Sequence, residues 1–176
     1  MKKIRSKYSN PDFQFVRFSL AGHEFGLDVS AVREIVRYRA PVLGAALPFA
    51  EGYISVRSMQ VPVIDLRKRF SLPQKPLESS MIIIGLLDSL ITGLIVDAIS
   101  DIALGAKEYT LSPGGQGFPW DRLVEAEVDS EGAHVLILNA DGLLTPEEKT
   151  ALARPLNPGS HDFTGAEMGL KKPDVI

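Results

Sequence analysis

The stretch from Met81 to Leu104 sets the tightest limit on what this chain can form. It is long enough to cross a bilayer as a helix, but Asp88, Ser89, Asp97 and Asp101 interrupt it. Each acid at membrane depth would cost on the order of 2.5–3.5 kcal/mol, so direct membrane insertion is not expected. β-Branched residues dominate the run, and Asp88-Ser89 is a turn signal near its centre. Two buried strands, Met81 to Leu87 and Leu90 to Ile95, fit this pattern better than one helix. Gly93 falls inside the second strand, where a missing side chain permits close backbone approach or marks a bulge. Asp97 to Ala103 follows as a short segment of ambiguous type.

The same period runs through other parts of the chain. Val16, Phe18 and Leu20 alternate with Arg17 and Ser19, which predicts a half-buried strand over Phe13 to Leu20. Ala21-Gly22 supplies a tight turn and His23 to Leu27 returns. Val29, Val32, Ile35 and Val36 then recur at helical spacing, which predicts a short early helix that Asp28 or Ser30 caps. Gly52 to Val56 and Val61 to Leu66 read as strands flanking a tip of Arg57-Ser58-Met59-Gln60. Pro62 cannot donate to a ladder, so it implies an edge or a bulge. Leu123 to Val128 and His134 to Leu138 make another strand pair, after a Gly-rich loop at 112–119. Thr145-Pro146-Glu147-Glu148 is a capping box with proline at the first helical position, opening a helix over 145–154. Residues 1–11 read as a polar lead-in and 155–176 as a tail poor in large apolar residues.

These elements specify a mainly β, barrel-type architecture with no βαβ alternation. A lobe junction is expected near Leu72 to Pro76, dividing 12–154 into lobes of roughly 13–76 and 77–144, or into lobes with interleaved boundaries. Charge divides along the chain as well. Residues 1–75 hold 13 Lys and Arg against 6 Asp and Glu, and residues 76–176 hold 6 against 16. Separate lobes would make the molecule an electrostatic dipole able to steer different partners. Scattered basic residues, an acidic balance and few aromatics argue against nucleic acid. Met1-Lys2-Lys3-Ile4-Arg5 is not followed by an apolar run, so no signal peptide is read and a cytoplasmic location is expected.

Catalytic chemistry is thinly represented. The chain has no cysteine, and His23, His134 and His161 share no ligand spacing, so neither a metal nor another cofactor is expected. Asp97 and Asp101, four apart, or Asp65 near a strand end, are the only candidates for acid–base work. Gly114-Gly115-Gln116-Gly117 lacks the Gly-Lys-Ser/Thr ending of a phosphate cradle, and no serine has a Gly-x-Ser-x-Gly setting. Binding reads better. Arg57, an always-charged fork at a hairpin tip beside Met59, suits a carboxylate on a partner.

Taken together, several segments resemble the CheW-like family of bacterial chemotaxis adaptors, over about Phe13 to Leu152. The carriers are Phe-x-Leu-x-Gly-x-Glu-Phe-Gly-Leu-Asp from 18 to 28, and Val32-Arg33-Glu34-Ile35. Next are Pro48-Phe49-Ala50-Glu51-Gly52-Tyr53-Ile54-Ser55-Val56-Arg57 and Val61-Pro62-Val63-Ile64-Asp65-Leu66-Arg67. Gly93-Leu94-Ile95-Val96-Asp97 with Ile99-Ser100-Asp101 completes the set. The resemblance implies two packed five-stranded SH3-like β-barrels and no enzymatic activity. As partners it implies a CheA-type histidine kinase, the cytoplasmic tip of a chemoreceptor, and other CheW-like domains in ring assemblies. It points to Arg57, Val32, Glu34, Gly52, Ser58 and Gly93 as partner-binding positions. The family's Asn-Leu-Arg-Gly turn reads Ser55-Val56-Arg57-Ser58 here, which leaves open a divergent scaffold of a pilus-type or other chemosensory pathway. A rival of another class is a small β-barrel enzyme or ligand-binding protein that gathers Asp65, Asp97 or Asp101 in a cleft.

Overall fold

The structure, a computed structural model, describes residues 10, 12–42, 44, 46–105, 109–111 and 122–154. The expected Gly-rich loop, the tail and the lead-in apart from Asn10 lie outside these. Among the described residues eleven strands build two sheets. The first two, β1 (Gln14–Leu20) and β2 (His23–Asp28), form a hairpin whose turn, Ala21-Gly22, has both φ angles positive, at 50° and 82°. That is the turn whose twist matches a two-residue hairpin. β3 (Val32–Arg37) follows a single 3-10 turn. β4 (Ala50–Val56) and β5 (Met59–Asp65) form the next hairpin and run into a one-turn helix, α1 (Leu66–Arg69). β6 (Met81–Leu87) and β7 (Leu90–Val96) are the two strands of the apolar run. After them come β8 (Ala98–Leu104), β9 (Tyr109–Leu111), β10 (Val124–Ser130), β11 (Ala133–Leu138) and α2 (Pro146–Leu152).

The sheet orders are β8-β1-β2-β11-β10-β9 and β3-β6-β7-β5-β4. Each contains a lone strand, a hairpin and a second hairpin, with a parallel pair at the centre: β2 with β11, and β5 with β7. The chain changes sheet after β2 and again after β7. β3 follows β2 but pairs with β6, and β8 follows β7 but pairs with β1. The five-stranded sheet is therefore one continuous stretch, Val32 to Val96, inserted between the strands of the six-stranded sheet. An aspartate stands at each crossing. Asp28 caps the 3-10 turn through Ser30, and Asp97 receives the Ala21 amide at 2.9 Å.

Three apolar clusters explain why the strands are so hydrophobic. Phe15, Ala126, Val128, Val135 and Ile137 fill the first sheet's concave side. Ile54, Val56, Val61, Val63, Ile82, Ile84 and Ile95 fill the second's. Between the sheets lies the largest cluster, with Phe18, Phe25, Leu27, Ile64, Ile83, Leu94 and Val96. Phe25 of one sheet meets Phe70, at the end of α1 on the other, with ring centroids 5.3 Å apart. Strands such as β6 face a barrel interior on one side and the opposing sheet on the other. Their unbroken apolar runs follow from burial on both faces. Helix α2 closes the assembly. Its Thr145–Glu148 capping box forms, Glu148 takes a paired contact from Arg69 at 3.1 Å, and the buried Tyr53 hydroxyl donates to the Leu152 and Arg154 carbonyls at 3.0 Å.

The expected early helix over 29–36 is not there. Only Val29–Ala31 makes a helical turn, and Val32–Arg37 is strand. A bulge between Val32 and Glu34 shifts the alternation by one residue, so Val32 and Ile35 both reach the central cluster. A spacing of three then imitates a helical face, while the β-branched residues keep the extended state. Asp97 to Ala103 resolves as β8, beginning at Ala98. The hairpin tip is shorter than expected: Arg57 and Ser58 form the whole turn, and Met59 and Gln60 belong to β5.

Pro62 sits in an interior strand opposite Tyr53, at neither the edge nor the bulge expected for it; the nearby register shift lies between Ala50 and Gly52 of β4. Tyr53 opposite it exchanges both backbone bonds with Val42, at 2.8 Å, so Tyr53 and Pro62 are a non-hydrogen-bonded pair. The Pro62 nitrogen consequently faces the β7 side, where pairing starts only at Val63. The missing donor costs nothing there.

Candidate functional site

Arg57 and Ser58 turn the β4–β5 hairpin with φ of 47° and 68°, both left-handed. This type I′ geometry matches the strand twist and favours glycine or asparagine, so Ser58 sits where a side chain is tolerated at a cost. The Arg57 side chain is 82 % exposed, and its Nη2 donates to Glu34 Oε2 at 3.0 Å. Glu34 lies on β3 and Arg57 beside β4, the two opposite edges of the five-stranded sheet. In a flat sheet those edges would be about 19 Å apart at about 4.8 Å per strand. The ion pair spans a sheet rolled until its edges meet, and it holds the guanidinium across the seam.

The other expected positions divide into two groups. Val32, at the bulged start of β3, is half-buried and packs on the central cluster. Gly52 is buried at the β4 bulge with φ of 123°, a backbone state that side chains rarely adopt. Gly93 is buried between Val63 of β5 and Ile84 of β6, and a Cβ there would meet Ile82 Cγ2 at 2.9 Å and Val63 Cγ2 at 3.2 Å. Arg57, Glu34 and Ser58 thus cluster at the seam, whereas the two glycines serve its backbone from inside. Gly93→Val is expected to lower the unfolding free energy by about 1–3 kcal/mol through overpacking. Chemical denaturation measures it; an unchanged midpoint would show that the barrel interior has room to spare.

The acids proposed for catalysis are held apart by separate structural tasks. Asp65 is buried; its Oδ1 accepts the Arg67 amide at 2.8 Å to cap α1, and burial pushes its carboxyl above the ordinary range. Asp101 of β8 pairs with Arg17 of β1 at 2.5 Å. Asp97 takes both nitrogens of the Arg67 fork, at 2.8 and 2.5 Å, with Lys75 at 3.2 Å. Sequence reasoning assigned Arg67 and Lys75 no role, because nothing in their spacing links them to Asp97 across the fold. Among the described residues no group of three or more His, Asp or Glu is arranged to hold a metal ion. No helix of theirs is long and apolar enough to cross a membrane.

Burial of Asp97 opposes its charge, but hydrogen bonds from Arg67, Ala21 and Lys75 outweigh that and hold its pKa at about 2. The folded value lies below the ordinary 3.8, so the carboxylate adds stability above pH 4 or so, which is lost as pH falls toward about 2. A thermal midpoint that declines across that window is expected. Asp97→Asn should lack that part of the decline; an identical acid profile in the variant would assign the loss to other carboxylates.

At the border between the sheets, a cavity of about 230 Å³ is lined by Asp28, Asp88, Glu125 and Asp141 among others. It is polar and contains none of the three candidate acids.

A CheW-like domain model matches residues 14–148. The chemotaxis protein CheW of Bacillus subtilis (strain 168) is 31 % identical over 138 residues, covering 76 % of this chain and 88 % of that protein. That of Treponema pallidum (strain Nichols) is 30 % identical over 119 residues, covering 64 % and 69 %. The crystal structure of the scaffolding protein TtCheW from Thermoanaerobacter tengcongensis superposes with a TM-score of 0.70 at 28 % identity, covering 78 % of this chain and 97 % of that one. With the paired SH3-like barrels, the exposed arginine at a barrel seam and three acids each committed to a structural contact, these likenesses establish that the chain belongs to the CheW-like family, as a non-catalytic chemotaxis scaffold.

Proposed function

We propose that this chain couples a CheA-type histidine kinase to the cytoplasmic tip of a chemoreceptor by simultaneous contact, in the cytoplasm, and that it joins other CheW-like domains in rings. The observation that supports this most is Arg57: a fully charged fork on a two-residue turn, anchored by Glu34 yet mostly exposed. A guanidinium held in one position loses little further freedom on binding, and its remaining donors suit a partner carboxylate. Glu34 and Ser58 frame the same patch, while Val32, Gly52 and Gly93 act through the fold of the same sheet.

The experiment is titration of the purified chain with the cognate kinase and, separately, with a receptor cytoplasmic fragment. Micromolar or tighter binding to both is the expected result. Binding to neither would remove the coupling role; binding to the kinase but not the receptor would favour a scaffold of another chemosensory pathway. Ser58→Gly, which restores the family's turn glycine, separates these readings further. Improved receptor affinity implicates the turn; unchanged affinity places receptor contact elsewhere.

A further inference from the structure

The charge that the fold leaves unpaired is segregated. In the stretch that builds the five-stranded sheet, Arg57, Arg67, Lys68, Arg69 and Lys75 each form an ion pair. Its other cations, Arg33, Arg37 and Arg39, are exposed and meet no acid among the described residues. They lie on or just past β3, an outer strand whose ladder runs only to β6 among those residues. The six-stranded sheet carries the opposite sign. Glu127, Asp129 and Glu131 recur at every second position along β10 and into its turn, and the positions between them are buried. Glu127 and Asp129 have the His134 imidazole as their cation-forming neighbour, at 3.3 and 3.7 Å. No Lys or Arg among the described residues reaches any of the three. Strand β10 is flanked by β11 and β9, so its backbone is committed and its side chains are what it presents.

The two rows match in pitch as well as in sign. Arg37 and Arg39, like Glu127 and Asp129, are two positions apart, a repeat of about 6.7 Å in an extended chain. Within one molecule the rows belong to different sheets and do not pair. The surface that fits the arginine row in charge and spacing is therefore the β10 row of another copy. We propose that the chain associates head to tail, with Arg33, Arg37 and Arg39 of one copy against Glu127, Asp129 and Glu131 of the next. The contact rests on the reading that this chain joins CheW-like domains, and it assigns the surfaces used when the neighbour is a second copy. Because two different surfaces meet, a bound pair keeps one free row at each end, and the contact can repeat. Exposed ion pairs are individually weak, so a dissociation constant on the order of 0.1–1 mM is expected. Such a contact acts where copies are already held close together.

Sedimentation equilibrium of the full chain tests this. At about 0.5 mM protein and low salt, the weight-average mass is expected to exceed that of the monomer. It should return to the monomer in about 1 M salt, where charges are screened beyond about 3 Å. Arg37→Glu/Arg39→Glu turns the β3 row acidic, so both rows are then acidic. Asp129→Lys/Glu131→Lys turns the β10 row basic, so both are then basic. Each variant alone should melt near the parent temperature and associate at least about tenfold more weakly. An equimolar mixture of the two should associate again, because each reversed row finds its opposite in the other variant. A parent that stays monomeric, association that the reversals leave unchanged, or variants that remain apart when mixed would each overturn the proposal. Kinase and receptor titrations of the parent are separate readings. Their success beside a monomeric parent retires this contact and leaves the coupling role standing.

Discussion

Arg67→Ala is expected to lower the unfolding free energy by about 3 kcal/mol, at the low end of the range for breaking a buried ion pair. The fork leaves α1, reaches Asp97 at the β7–β8 crossing, and donates as well to the Pro73 carbonyl. Asp97 in turn accepts the Ala21 amide from the β1–β2 turn, and its own amide donates to Ser19. One guanidinium thereby ties together the sheet that β7 leaves and the sheet that β8 enters. Its side chain is 10 % exposed and that of Asp97 is 15 %, so truncation strands a desolvated carboxylate. Lys75 remains within 3.2 Å and moderates the loss. The double variant Arg67→Met/Asp97→Asn should be more stable than Arg67→Ala, because no desolvated carboxylate is then left without its guanidinium, and Lys75, which loses its partner, is exposed enough to be solvated. Urea denaturation gives both values. A single variant that loses less than about 1 kcal/mol, as a typical exposed pair would, contradicts a clasp at this crossing.

Arg57→Glu carries the second large effect, and on binding rather than folding. An arginine at the centre of an interface is worth about 2 kcal/mol or more, about thirtyfold in affinity. Reversing its charge also sets it against Glu34, 3.0 Å from the native guanidinium. The exposed pair itself contributes little to stability, at most about 1 kcal/mol. The expected result is therefore loss of kinase or receptor binding from a chain that melts near the parent temperature. Glu34→Arg/Arg57→Glu restores the pair but not the position of the positive charge, so it should recover the melt without recovering binding. Full binding by Arg57→Glu would remove the arginine from the interface.

These expectations differ in how much of their basis the chain displays. Alternation of Val16, Phe18 and Leu20, and the turn inside the apolar run at Asp88, place strands almost where they stand. The capping box at Thr145 is complete within four residues. Such signals are local, and the contacts they describe lie within a few residues. The β3 helix expectation failed for the converse reason: a bulge is imposed by the partner strand β6, and from one strand its spacing looks helical. The Arg57 tip was visible as a turn between apolar strands, but its anchor was not, since Glu34 is 23 residues away and on the opposite sheet edge.

Read by itself, the amino-acid order determined a β-rich chain with its hairpins, its closing helix, its family and its lack of catalytic machinery. Only the tertiary structure decided that one sheet is inserted between the strands of the other, that Asp97 is a clasp and not a catalytic acid, and that Gly93 packs inside a barrel. The physical reason is range. Periodicity and capping report energies between neighbours in sequence, whereas a rolled sheet brings its two edges together, and groups well separated in that order then share one site.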